Sequence, residues 1–348
     1  MIQIIRELVN GVIASGKFTG FFQGIPFTTP GGSTHSIKIQ SMDRSIRQAG
    51  YRIVKYSYVT KIEPSPGVFA HGYGESDVEF LAIQKSIAEA IERAVFLLVH
   101  LEQDTRKSTN TNGWAAHLTT SRARNSAKDE LLERDAILLH WFSETPLTRV
   151  SDYTLSKTLR RWTQEELTQA PRYNLAKYFI TQLGEVAVAS TMIHDVDGFG
   201  FISHATGSNV EGALIRALSE TCRIADLATL GIMERSPAGA QLKPDDHAIF
   251  YASEIPFPKW IDSGREISLS EANQEWIAKK NKSHQKIRFL FDDYKCGPLS
   301  IVHCKSKEVQ NLFFGTTEAA LLDGDVNIER IIKMSGVERI CPLPHFVP

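Results

Sequence analysis

The sequence predicts an α/β or α+β fold. Three observations carry this. Arg52 to Ile62 alternates β-branched and aromatic residues with polar ones, which is a strand pattern. Two long stretches, 78–101 and 121–142, run without Gly or Pro and read as helices. Further strand and helix patterns interleave down to the last forty or so residues, which is the sequence mark of a mixed class.

The elements follow in order. Residues 1–50 are mixed, and the Gly, Ser, Thr and Pro around 24–34 read as a loop. Pro64-Ser65-Pro66-Gly67 closes the first strand with a turn, and Gly72-Tyr73-Gly74 reads as a flexible lead-in to the first helix. Asn112-Gly113 is a turn before the second helix. Glu185 to His194 reads as a strand turning at Asp197-Gly198, and a third helix spans about 210–230. Ile287 to Phe291 and Leu299 to Cys304 are strands around Cys296-Gly297-Pro298, and a last helix begins near Thr317. Pro146 and the polar stretch Ser263 to Ser283 are candidate boundaries.

Composition narrows the function. A chain of 348 residues with 42% apolar and 23% charged residues can bury a sizeable core. A net charge of −1 gives no reason to expect a nucleic-acid groove or an anionic membrane surface. No apolar run reaches the ~18 residues of a spanning helix. Arg6 and Glu7 interrupt the first apolar stretch, which does not read as a secretory signal. Cys222, Cys296, Cys304 and Cys341 lack CxxC spacing, so free thiols in a reducing cytoplasm are expected.

The most informative feature is an echo. Glu130-Leu131-Leu132-Glu133-Arg134-Asp135-Ala136 repeats the pattern Glu89-Ala90-Ile91-Glu92-Arg93-Ala94. Helical residues i and i+3 share a face, with Cβ atoms about 5–6 Å apart. Two carboxylates that close repel by about 3 kcal/mol at an effective dielectric near 20. Glu220 aligns with Glu89 and Glu130 on the third helix, where Arg223 falls in place of Glu92 and Glu133. A solvated helix face is the ordinary reading of one such motif. Here both copies run on into apolar residues, 94–99 and 136–142, as buried helices do. A buried carboxylate needs a partner or a metal. Arg93 and Arg134 are candidate partners. The alternative is Mg²⁺, a hard ion that takes carboxylate oxygens and substrate phosphates.

Two other motifs do not hold up. Gly11-Val12-Ile13-Ala14-Ser15-Gly16-Lys17-Phe18 fails the P-loop pattern at its last position, where Phe18 replaces the hydroxyl. Asp195-Val196-Asp197-Gly198 lacks the rest of a calcium loop and reads as a hairpin turn.

Three stretches together resemble the YcaO family of ATP-dependent, peptide-backbone-modifying enzymes. They are Ser86 to Arg93; Asn112-Gly113-Trp114-Ala115-Ala116 followed by Glu130 to Ala136; and Ala213 to Glu220. The resemblance covers about residues 50–348. It implies internally repeated strand–helix units, with ATP among the repeated helices in a fold unlike P-loop or Rossmann folds. It places Mg²⁺ on Glu89, Glu92, Glu130 and Glu133, and the nucleotide near Arg93, Asn112, Arg134, Arg216 and Glu220. Two departures stand out: Tyr73 occupies the place of a lysine in many members, and Arg223 the place of a glutamine. The ending Pro342-Leu343-Pro344-His345-Phe346-Val347-Pro348 resembles the azoline-forming branch, whose terminal carboxylate serves the active site. Pro348 is then the expected general base.

The activity implied is cyclodehydration of Cys, Ser or Thr in a ribosomally made precursor peptide, in bacteriocin-like biosynthesis. A thioamide- or amidine-forming enzyme and a non-catalytic scaffold are the alternatives. Expected partners are the precursor peptide, a separate ubiquitin-activating-like or leader-recognition protein, and a flavin dehydrogenase. A multi-subunit complex or homodimer is expected. Residues 1–50 form an N-terminal segment in which Phe18 to Phe27 is either a docking stretch or core; 51–348 form the catalytic domain.

Overall fold

The computed structural model describes residues 17–18, 25–49, 53–103, 111–168, 172–229, 244–281, 287–312, 317–338, 340–343 and 345. The chain divides into two compact units, Met1–Glu130 with Phe289–Lys305, and Leu131–Arg288 with Ser306–Pro348.

In the first unit, β1 (Lys17–Phe18), β3 (Thr34–Ala49), β4 (Ile53–Ser65) and β5 (Val68–Ser76) form an antiparallel sheet, and β2 (Ile25–Thr28) pairs with β3. The expected loop at 24–34 is thus partly strand, with a tight turn between Thr28 and Thr34. Lys17 and Phe18 stand in a strand, whereas a P-loop lysine opens a helix; residues 11–16 of that pattern lie outside the described residues. Phe27 is core, and Phe21-Phe22 also lie outside the described residues. The β4–β5 turn narrows to Pro66-Gly67, where Gly67 takes φ +75°.

Helix α1 (Glu79–Gln103) packs on β4 and β5 and buries Ala82, Ile83, Ala90, Ile91, Ala94, Val95, Leu98 and Val99. Gly72-Tyr73-Gly74 is not a flexible lead-in but the middle of β5. An added Cβ at Gly72 would lie 2.1 Å from the Ser86 carbonyl oxygen, and one at Gly74 would lie 1.9 Å from that of Ala82. Strand backbone rests directly on helix backbone, and only glycine permits this. The outer edge of β5 is met by side chains one helical turn apart. Lys85 Nζ donates to the Glu75 carbonyl (2.9 Å), the Tyr73 N–H donates to Glu89 (2.8 Å), and Arg93 donates to the His71 carbonyl (3.1 Å). An antiparallel sheet of β12 (Leu290–Cys296), β13 (Leu299–Lys305) and β6 (Trp114–His117) completes this unit. Trp114 stacks on Tyr294 and His303 and meets Phe96 of α1 edge-on.

Helix α2 (Thr120–Ser143) carries the second copy of the echo. From Ala136 to Phe142 every side chain is buried, as a helix apolar all round must be. Each of Ile137, Leu138, Leu139 and Phe142 contributes about 1.5–3 kcal/mol by leaving water. In the second unit these residues pack with Phe179, Met192 and Ile202. The sheet there has the order β10 (Gly200–Ala205), β9 (Ala189–His194), β8 (Leu175–Ile180), β7 (Thr148–Val150), β11 (Glu266–Ile267), antiparallel except for the β11–β7 pair. Asp195 and Gly198 form the β9–β10 turn, with the Asp195 carboxylate accepting the N–H of Asp197 and of Phe199. This settles that motif as a hairpin.

Helix α3 (Lys157–Leu167) packs against α4 (Val210–Thr229), which covers β9 and β10. The polar stretch 263–283 is not a linker. It contains α6 (Leu269–Asn281), following α5 (Pro244–Ser253), and buries Ala272 and Trp276 against Leu159 and Val210. The expected single last helix is two, α7 (Thr317–Asp323) and α8 (Ile328–Ser335), the second capped by Asn327 and closed at Gly336 with φ +71°. A hairpin followed by a helix occurs twice, as β4–β5–α1 and as β9–β10–α4, in keeping with repeated strand–helix units. Among the described residues no helix is long and apolar enough to cross a membrane.

Candidate active site

Helix α1 presents Glu89 and Glu92 one turn apart because the spacing i, i+3 puts them on one face. Glu92 is part-buried, and its carboxyl is held well above the ordinary carboxylate range. Burial is the main cause, followed by the negative charges of Glu130 and Glu89. Arg93 and the Ala116 N–H act the other way. Ala116 lies on β6, just after the Asn112-Gly113 turn, where Asn112 is buried and Gly113 takes φ +74°. The Gly113 carbonyl accepts the Cys304 N–H at 2.7 Å, fixing that turn to β13. Two of the other predicted metal ligands, Glu89 and Glu130, therefore both act on Glu92 in the first unit.

Glu89 is committed twice. Its Oε1 pairs with Arg93 at 2.6 Å and its Oε2 accepts the Tyr73 N–H. The structural partner weighed for the echo is thus present for Glu89. Among the described residues, no group of three or more His, Cys, Asp or Glu side chains stands as a ready metal cage.

In the second unit, Glu133 accepts the Thr206 N–H at 2.8 Å at the end of β10. Arg134 is part-buried, its Nε enclosed with no hydrogen-bond partner. Its charge acts on His204, whose imidazole is held well below the usual histidine range, by burial first and then by Arg134 and His345. His204 Nδ1 lies 2.8 Å from the Ser190 hydroxyl. Arg216 lies against Gly207, where an added Cβ would stand 2.7 Å from its guanidinium. Glu220 is paired with Arg223, the Nε–Oε2 distance being 2.9 Å. Helix α4 therefore neutralises internally the position where α1 and α2 bring a second glutamate.

Sequence reasoning gave no role to Asp135, yet it is fully buried. Its carboxylate accepts the Gln310 N–H at 2.8 Å and Arg330 Nε at 2.6 Å. His204 and Ser190 were also missed; a single His in an apolar strand carries no signal. Near the C-terminus Leu343 and His345 are placed. Trp141 Nε1–H and the Thr317 hydroxyl both donate to the Leu343 carbonyl, at 3.1 and 3.2 Å, and His345 is buried. Pro348 lies outside the described residues.

The four cysteines are free and buried, and burial pushes the Cys296 and Cys304 thiols up to about 12. The glutamates, in contrast, are hard oxygen donors suited to Mg²⁺.

Residues 92–295 match the family model described as YcaO cyclodehydratase, ATP- and Mg²⁺-binding. The chain belongs to the YcaO family. Among curated proteins none matches the sequence. The fold is that of solved YcaO structures. The YcaO from Methanopyrus kandleri, bound with AMPPCP and Mg²⁺, is 13% identical with a TM-score of 0.54, over 82% of this chain and 88% of that one. A chain of the E. coli microcin synthetase McbBCD complex with pro-MccB17 bound is 12% identical with a TM-score of 0.55, over 78% and 88%. A heterocyclase in complex with substrate and cofactor is 11% identical with a TM-score of 0.50, over 88% of this chain and 55% of that one.

Proposed function

We propose that this YcaO chain is an ATP- and Mg²⁺-dependent cyclodehydratase of a ribosomally made peptide. The observation that carries the reading is Glu92. It is part-buried, the negative charges of Glu130 and Glu89 act on it, and a divalent cation would relieve that repulsion. The fit is one of donor chemistry, with Glu89, Glu92, Glu130 and Glu133 as ligands. Arg93, Asn112, Arg134, Arg216 and Glu220 are assigned to the nucleotide. ATP bound with Mg²⁺ supplies the phosphoryl group that activates a backbone amide oxygen.

A Cys, Ser or Thr side chain of the peptide attacks the preceding carbonyl, and loss of phosphate leaves a thiazoline or oxazoline. The Pro348 carboxylate takes a proton in this reading. Support for it comes from the anchoring of the same segment at Leu343 and His345. The peptide's leader is held by a separate recognition protein, in keeping with the complex that the E. coli relative forms with its pro-peptide.

The test is Glu92→Gln, assayed for Mg-ATP binding and for peptide-dependent ATP hydrolysis; unchanged values would remove the metal assignment. Deleting residues 344–348 should abolish heterocycle formation while nucleotide binding remains. Product mass decides the chemistry: loss of water marks an azoline, exchange of oxygen for sulfur a thioamide.

A further inference from the structure

Gln310 is fully buried and is hydrogen-bonded at both ends. Its backbone N–H donates to Asp135 of α2 at 2.8 Å. Its side-chain amide donates to the Asn311 and Asp325 carbonyls, at 2.7 and 3.0 Å, and accepts the Asn327 N–H at 2.7 Å. Asn311, Asp325 and Asn327 in turn line a cavity of about 520 Å³ at the start of α8. Val309, Val326 and Ile328 are its apolar part, Asp325 and Glu329 bring carboxylates, and Lys307 stands on its wall. One buried side chain thus joins the cavity to the turn of α2 that carries Glu133 and Arg134. The geometry points to this cavity as the docking pocket for a lysine or arginine side chain of a partner protein, whose seating steadies α2. The inference rests on the nucleotide reading above and adds to it where a partner acts.

Charge and apolar surface select the occupant. Among the described side chains of residues 306–335, the exposed charges are the acids Glu308, Glu318, Asp325 and Glu329 against the bases Lys307 and Lys333. That excess favours a cationic partner surface. Leu321, Leu322, Ile328 and Ile332 are four of the eight large apolar side chains exposed among the described residues of the second unit, and they fall within twelve residues. Apolar surface gathered in this way marks a protein contact, and a small free cation has no use for it. A lysine or arginine lays its methylene stem on Val309, Val326 and Ile328 while its charged head meets Asp325 and Glu329. The seated cation orders the 325–327 turn, which Gln310 holds through two hydrogen bonds. A second route runs through Asn327, which caps α8 by accepting the Arg330 N–H at 3.1 Å, to Arg330 Nε on Asp135 at 2.6 Å. Both routes end on α2, and such bonded networks carry coupling between sites. A helix ordered in advance loses less freedom when the nucleotide binds, so docking tightens nucleotide binding.

A tethered cation can stand in for the partner. The four native cysteines are buried, so Ile328→Cys offers an accessible thiol in the cavity, and Ile277→Cys, on an exposed position of α6, is the control. Cationic 2-aminoethyl methanethiosulfonate should attach to Ile328→Cys faster than the anionic 2-sulfonatoethyl reagent, by a margin about three-fold larger than on Ile277→Cys. The aminoethyl adduct of Ile328→Cys places a lysine-like ammonium in the cavity and should tighten Mg-AMPPCP binding about five-fold in calorimetry. The sulfonatoethyl adduct, and the aminoethyl adduct of Ile277→Cys, should not tighten it. Equal attachment margins at the two positions, or an aminoethyl adduct with unchanged nucleotide binding, overturn the inference. Spermidine in excess that tightens nucleotide binding by the wild type assigns the cavity to a small polyamine and overturns the protein partner. A wild-type chain that binds no Mg-AMPPCP overturns the nucleotide reading instead, and the attachment rates then decide the pocket by themselves.

Discussion

Asp135 and Arg330 form a buried ion pair whose disruption can be sized from the structure. The Asp135 side chain is 0% exposed and that of Arg330 8%. The carboxylate takes Arg330 Nε at 2.6 Å, Arg330 Nη2 at 2.5 Å and the Gln310 N–H at 2.8 Å. Burial lifts the Asp135 carboxyl above its ordinary range even against these donors, while the same pair lifts Arg330. Asp135→Asn keeps the shape, removes the charge and turns an amide N–H towards a guanidinium. It leaves Arg330 enclosed without its counter-charge, which costs about 3–5 kcal/mol. At an m-value near 3 kcal/mol/M, the urea midpoint should fall by about 1–2 M. Tryptophan fluorescence is a suitable probe, because Trp141, Trp162, Trp260 and Trp276 lie in the second unit and only Trp114 in the first. The apolar double replacement Asp135→Leu with Arg330→Met should recover at least half of the loss, since no charge then remains to be solvated. A single-variant loss under 1 kcal/mol, or no recovery in the double variant, refutes the reasoning.

Other outcomes follow from the same structure. Glu92→Gln should raise the urea midpoint of the metal-free protein at pH 7–8 while removing Mg-AMPPCP binding. A carboxyl held above its unfolded value of 4.5 stabilises the fold below that pH and ceases to do so as pH rises; a lowered midpoint at pH 7–8 would contradict it. Gly74→Ala should destabilise by about 3 kcal/mol, read from the denaturation midpoint, because its Cβ meets the Ala82 carbonyl at 1.9 Å; a loss under 1 kcal/mol would mean the helix is free to shift. His140 is held neutral, burial bringing its imidazole down to about 4. Its Nδ1–H faces the Thr145 carbonyl and its Nε2 accepts the N–H groups of Gln182 and Leu183. Its folded value is depressed, so its contribution is present above pH 6.5 and is lost as pH falls towards 4, about 3 kcal/mol in all. Denaturation at pH 7 and 4.5 measures this, and a His140→Gln chain should show a shallower decline.

The two long helices were legible almost to the residue, because each is an unbroken run without Gly or Pro that continues into a mostly buried apolar stretch. The long strand β3 was not. Ile37 and Ile39 point inward, but a register shift between Ile39 and Ser41 makes Met42 the next inward residue, and the period of two is lost. Turn-forming residues at 29–33 then bias the reading towards loop. Gly72-Tyr73-Gly74 misled for a related reason: glycines that suggest freedom in sequence here mark backbone pressed on backbone. At the site, the echo gave the glutamates and the family. It could not show that Arg93 and Tyr73 already hold Glu89, because those contacts depend on the register of β5 against α1. Asp135 stood inside the quoted motif, but its partner Arg330 is 195 residues away.

The two glycines of β5 also decide how α1 can vary. Side chains between a helix and a sheet act as a compressible layer, and a core can trade one methyl for another with small shifts of the helix. Between β5 and α1 that layer is missing at Gly72 and Gly74. The distance from the strand to Glu89 and Glu92 is then set by main-chain atoms, which every sequence shares. Drift elsewhere in this core can change how firmly the helix is held, but has little leverage on where it stands.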